Sequence, residues 1–115
     1  MANRDARQGI LQGTLDLMVL QTLASLGPQH GYAIAARIEQ ASDNALELNM
    51  GTLYPALMRL EQRGYVTGKW DVTENNRKAR FYSLTAMGRK QLELEKAGWE
   101  QTAGTIHKLL TEDFS

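Results

Sequence analysis

The side chains in this 115-residue chain best placed for chemistry are hydrogen-bond donors rather than nucleophiles. In the stretch NMGTLYPALMRLEQRG, residues 49 to 64, Leu53, Leu57 and Leu60 recur at helical spacing and form a face to be buried. The other side carries Thr52, Tyr54, Pro55 and Arg59, with Asn49 before it as a cap and Arg63 near its end. Hydroxyls in the first turns of a helix suit a phosphate, because the helix N-terminus itself favours an anion, and Arg59 suits phosphate or guanine. Arg63 reads as a backbone contact or a solvated charge. For Tyr54 the competing reading is a ring half-buried against the following hairpin. Tyr32, near the start of the preceding helix, fits phosphate contact and packing equally well. Pro55 lacks the amide that would bond to the Gly51 carbonyl, so the first turn is expected to be loosened or kinked.

A second group of donors follows. Asn75, Asn76, Arg77 and Lys78 sit together in the polar run DVTENNRK, with Arg80 just beyond. Lysine and arginine on an exposed loop supply salt-dependent affinity for a nucleic-acid backbone. The alternative is a hairpin charged for solubility and to prevent edge pairing. The whole chain has 13 basic and 13 acidic residues and a net charge of zero, but the charge is uneven. Residues 59 to 90 hold eight basic side chains against Glu61, Asp71 and Glu74, a net of +5. One surface can therefore attract phosphates while the whole stays neutral.

Catalysis is not expected. His30 and His107 are the only histidines, with no companion carboxylates at metal-ligand spacing, and there is no cysteine. His30 reads as a capping or packing residue. Neither a phosphate-cradling glycine loop nor a nucleophile elbow occurs, so no cofactor or metal is implied. The start, MANRDARQG, is polar, and the most apolar run, residues 15 to 26, is interrupted by Asp16, Gln21 and Thr22. A cytoplasmic protein without a membrane partner is expected.

The elements that must position these donors follow from the periodicity. After a polar arm over residues 1–9, a helix over 10–26 has apolar side chains nearly all round, and Gly27 and Pro28 stop it. A second helix spans about Tyr32 to Ala41. Leu46, Glu47 and Leu48 alternate like a stub of strand, and the helix capped by Asn49 ends at Gly64. YVTGKW and ARFYSL read as a hairpin with a long, charged tip, and Thr85 caps a last helix over about Ala86 to Leu110, leaving a tail over 111–115. The fold class is mainly α with a small β-hairpin: a winged helix-turn-helix over 10–84 plus a C-terminal dimerisation helix over 85–110. In that fold the second helix of the helix-turn-helix lies in the major groove of double-stranded DNA.

In the last helix Leu92, Trp99 and Ile106 recur every seven residues, with Ala103, Leu109 and Leu110 beside them. Such a seam wants a partner helix, and a second copy of the chain is preferred to an intramolecular bundle. The expected interface comprises Leu11, Leu15 and Met18 of the first helix with Leu92, Trp99, Ala103, Ile106 and Leu110 of the last.

HGYAIAARIE (30–39), LELNMGTLYPALMRLEQRGYV (46–66), Trp70 and RKARFYSLTAMGRKQL (77–92) together resemble the PadR family of bacterial transcriptional regulators, in its short form with a single C-terminal helix. The resemblance implies a homodimeric winged-helix DNA-binding protein, usually a repressor, on a pseudo-palindromic operator. In some relatives a small molecule releases the operator, and an aromatic residue on the last helix lines an interface cavity where flat compounds stack. Trp99 holds a comparable place, as an effector platform or as a tryptophan filling the dimer core. Many relatives carry proline where this chain has Met50. The reading from another class is a winged helix that contacts only proteins.

Overall fold

The computed structural model describes the backbone of residues 2–112 and the side chains of residues 13–112. The chain forms α1 (Ala2–Leu26), β1 (Gln29–His30), α2 (Gly31–Ala41), α3 (Met50–Gln62), β2 (Val66–Val72), β3 (Lys78–Leu84) and α4 (Ala86–Thr111). The expected mainly helical fold with a small sheet is present. Helix α1 takes in most of the stretch expected as a polar arm, and the side chain of Leu11 lies outside the described residues.

Helices α1, α2 and α3 enclose the core. Leu15, Val19, Leu20 and Leu23 of α1 meet Ile34 and Ile38 of α2 and Leu53, Leu57 and Leu60 of α3, all buried. Burying each of these large aliphatic side chains contributes about 1.5–3 kcal/mol relative to exposure, so this cluster outweighs the poor helix formers in α3. Pro55 sits on the exposed side of α3, where its missing hydrogen bond faces water, and the helix runs on through it to Gln62. The helix ends in a Schellman turn: Gly64, at φ +80°, donates to the Glu61 carbonyl and Tyr65 donates to the Leu60 carbonyl.

Two expectations about strands are corrected. Leu46 to Leu48 form no strand; Leu48 is buried, and its N–H donates to the Glu39 carboxylate at 2.8 Å. The third strand is Gln29–His30, and the antiparallel sheet order is β1-β3-β2. The wing also has a shorter tip than expected, because Val72 and Lys78 already pair as the last rung of the ladder.

Helix α4 leaves the domain at a fixed angle. The Thr85 hydroxyl accepts from the Gly88 N–H and donates to the Gly64 carbonyl, tying the cap of α4 to the end of α3. Gly88 is required there, since a Cβ on it would lie 2.0 Å from the Tyr65 carbonyl oxygen. Leu92 is the last core residue of α4; beyond it Leu94, Trp99, Ile106, Leu109 and Leu110 are exposed, and the molecule extends 61 Å along its longest axis. Leu15 and Leu92, expected in the subunit seam, are therefore corrected: both are buried inside the single chain, because the first turns of α4 pack onto α1.

Candidate nucleic-acid interface

His30 opens the region. Its Nδ1 accepts from the Ala33 N–H and caps α2, while its ring packs edge-on against Phe81 of the wing, 5.3 Å between centroids. The adjoining Gly31 lets α3 come close: a Cβ there would lie 2.6 Å from the Met50 methyl and 3.7 Å from the Tyr54 ring. The consequence is that Tyr32 of α2, 70% exposed, and Tyr54 of α3, 44% exposed, line one cleft together with the wing. Tyr54 packs beside the wing and keeps an accessible ring.

Asn49 caps α3 as expected. Its side-chain oxygen accepts from the Thr52 N–H at 2.9 Å and lies 3.2 Å from the Thr52 hydroxyl. This fixes the first turn, whose remaining N–H groups and dipole favour an anion. Thr52 is half-buried, and Pro55 and Met58 are exposed on the same flank. Asn76, Arg77 and Lys78 are all exposed at the wing tip. The tip is a defined turn: the Thr73 N–H donates to the Arg77 carbonyl, the Asn76 N–H returns to the Thr73 carbonyl, and Asn76 adopts φ +59°.

Two arginines expected to touch DNA are engaged elsewhere. Arg59 lies 3.0 Å from the Asp16 carboxylate of α1, with about a quarter of its side chain exposed, and ties α3 to α1. Arg80 pairs with Glu61 of α3 and extends over Gly68, where a Cβ would collide with its guanidinium. Arg80 is therefore a strut between wing and α3 rather than a free cation. Arg63 is exposed, but its charge acts on Glu95 of α4. Burial first, and the Asp16 charge second, raise the Glu95 carboxyl above its ordinary value, while a hydrogen bond with Gln91 and the Arg63 charge work the other way. The later part of α3 is tied to α1 through the Arg59–Asp16 pair. Of the donors expected to touch DNA, Tyr32, Asn49, Tyr54, Arg63, Asn76, Arg77 and Lys78 are exposed, at the start of α2, at both ends of α3 and on the wing.

In the sequence Trp70 stands out only as a family marker, yet it is 61% exposed on the wing face that lines the cleft. Alternation could have found it: Gly68, Trp70 and Val72 share one face of β2 with Tyr82, Arg80 and Lys78 across the ladder. Tyr82 closes the floor, and burial, opposed by the Arg80 charge, raises its phenol. Among the described residues no group of histidine and carboxylate side chains could hold a metal, and no helix is long and apolar enough to cross a membrane.

A second cleft, of about 450 Å³, lies between α1, α2 and α4, lined by Leu17, Met18, Ile38, Ala41, Lys96 and Trp99 among others. Met18 and Trp99 both line it. Ala103 is half-buried farther along, and Ile106 and Leu110 stay exposed.

Known proteins are similar to this chain in fold or in sequence. A transcriptional regulator from Clostridium thermocellum is 29% identical, with a TM-score of 0.78 over 87% of this chain and 96% of its own. A PadR family transcriptional regulator from Eggerthella lenta is 28% identical, with a TM-score of 0.73 over 98% and 99%. A PadR-like transcriptional regulator from Bacillus cereus shares the fold at 23% identity and a TM-score of 0.79, over 91% and 99%. A 37.1 kDa transposon-borne protein of Streptomyces fradiae is 38% identical over 97 residues, and the present chain spans about a quarter of its length. Residues 19–94 match the family described as the transcriptional regulator PadR-like family. With that match spanning the helices of the core, the wing and the root of α4, the chain belongs to the PadR-like family of transcriptional regulators.

Proposed function

We propose that this regulator works in the cytoplasm as a homodimeric repressor. It binds a pseudo-palindromic double-stranded operator through Tyr32, the Asn49–Pro55 turns of α3 and the Asn76–Lys78 tip. The observation that carries the reading is the contiguity of those groups: Tyr32, Tyr54, Trp70 and Lys78 line one cleft at the α2/α3/wing junction, while Arg59 and Arg80 hold the supporting elements in place. Tyrosine hydroxyls, a helix N-terminus and lysine are all donors, and phosphate oxygens are all acceptors.

Pairing of subunits is supported by the exposed side chains of Trp99, Ile106, Leu109 and Leu110 on an α4 that stands off its own domain. A half-covered helix of this apolarity gains by burial against a second copy. The apolar cleft at Met18 and Trp99 suits a small aromatic effector, with the Trp99 ring as the stacking surface. Selecting bound duplexes from a random pool tests the reading: recovery of an inverted repeat with half-sites about one helical turn or more apart supports it. Failure to enrich any duplex, with binding that is insensitive to salt, favours a protein-contact role instead. Sedimentation at micromolar concentration tests the dimer, and fluorescence quenching of Trp99 by planar compounds that also lower operator affinity tests the effector.

A further inference from the structure

The wing carries an anomaly for a solvent-facing hairpin. Trp70 and Val72 project from one face of β2, 61% and 53% exposed, where an unoccupied wing would gain from polar residues. Across the ladder on the same face stand Arg80 and Lys78. This face, with Tyr32, Tyr54 and Tyr82, encloses a cleft of about 360 Å³.

The chemistry of the lining is one-sided. Tyr32 and Tyr54 offer a ring with a hydroxyl, Trp70 offers a ring with an N–H, and Lys78 is a cation; among the described residues no carboxylate lines the cleft. Glu61, whose charge reaches Tyr82 of the lining, is paired with Arg80. Asp71 projects to the opposite face of β2, and its carboxylate accepts from the Val72 N–H at 2.7 Å. A matching occupant has an apolar, C–H-rich body carrying anionic acceptors.

We propose that this cleft seats one sugar-phosphate unit of duplex DNA, with the Trp70 ring against the deoxyribose and Tyr32, Tyr54 and Lys78 around the phosphate. The proposal rests on the DNA-binding reading above and adds a residue to it. It makes Trp70 a backbone clamp that reads no base. Because the cleft is continuous with Tyr54, it fixes how far α3 enters the groove and leaves the base preference to other side chains.

The test uses the full-length protein, the duplex recovered by selection, and an unrelated duplex of equal length. Trp70→Ala is expected to weaken both about tenfold or more, leaving their ratio and the slope of log affinity against log salt unchanged, because an apolar contact releases no counterions. Lys78→Ala is expected to weaken both and to flatten the slope. Trp70→Phe, which keeps a ring, should recover most of the affinity, and thermal melts of each variant establish that it folds. With 5-fluorotryptophan incorporated, the fluorine resonance missing from Trp70→Phe identifies Trp70, and it should shift on adding duplex.

If the parent protein binds duplex while Trp70→Ala binds within twofold of it and the Trp70 resonance stays put, the clamp is overturned and the DNA-binding reading stands. A flattened salt slope in Trp70→Ala would mean that the ring merely positions Lys78, which also overturns the clamp. A larger shift with the single strand than with its duplex would replace the sugar contact by base stacking. Absence of duplex binding by the parent protein removes both the clamp and the reading beneath it.

Discussion

The Arg59 guanidinium is 3.0 Å from the Asp16 carboxylate, a contact between residues 43 positions apart that fastens the middle of α3 to α1. It turns a side chain that by spacing alone is free to meet DNA into part of the frame that aims the recognition helix. Arg80 and Glu61 do the same between α3 and the wing. The proposed DNA-binding surface is thus backed by two ionic ties.

Removing the first tie separates positioning from contact. Asp16→Ala should cost about 1–2 kcal/mol of stability, because a charge-assisted pair is lost from a partly exposed site. Below the melting transition the salt dependence of DNA binding should keep its slope. Measured slopes for the parent and variant check this: a direct phosphate contact by Arg59 would instead show as a slope lowered by nearly one per contact in Arg59→Ala.

The wing tip should behave oppositely. Replacing Arg77 and Lys78 together with alanine should leave the melting temperature almost unchanged, since both are exposed. Binding to all duplexes should weaken and the salt slope flatten by close to one for each phosphate contact removed. Titrations at several salt concentrations decide it.

Gly88→Ala places a methyl group 2.0 Å from the Tyr65 carbonyl oxygen, so backbone must move. A loss of about 1–3 kcal/mol or more is expected, read by denaturant unfolding. Gly98, farther along the same helix, has nothing within 4 Å of where a Cβ would sit; it should accept alanine without loss and serves as the control.

The Glu95 carboxyl lies above its ordinary value in the folded chain, chiefly through burial and then through Asp16. A raised value means that the folded state favours the protonated form. Glu95 therefore contributes stability that is fully present below the ordinary carboxylate value and is lost as pH climbs through the raised one. Glu95→Gln should melt above the parent at neutral pH, and the difference should close as pH falls to about 4. Thermal melts across that range check the sign.

Much of the frame is readable in the sequence because it is local. Leu53, Leu57 and Leu60 at helical spacing, the Asn49 and Thr85 caps, and the Gly64 stop each act within a few residues, and the structure places them where spacing requires. What escapes such a reading depends on partners far along the chain. Arg59 has the same periodicity whether it faces DNA or Asp16. Helix α1 is apolar nearly all round, so spacing does not separate Leu15, in the core, from residues left for a partner. The two-residue strand at Gln29–His30 has no pattern of its own and exists because β3 supplies its hydrogen bonds. Alternation along β2 puts Trp70 on one face with Gly68 and Val72, but the cleft beside it is formed with Tyr32 and Tyr54, which lie far away in the sequence.

The central claim is that duplex DNA meets the chain at the start of α2, the first turns of α3 and the wing. The most direct measurement is a backbone amide map by nuclear magnetic resonance while the selected duplex is titrated in. Changes are expected at Tyr32, over Asn49 to Met58 and over Lys69 to Lys78, with Leu94 to Leu110 of α4 moving little. Changes confined to the exposed stretch of α4, with α3 and the wing unmoved, would contradict the claim.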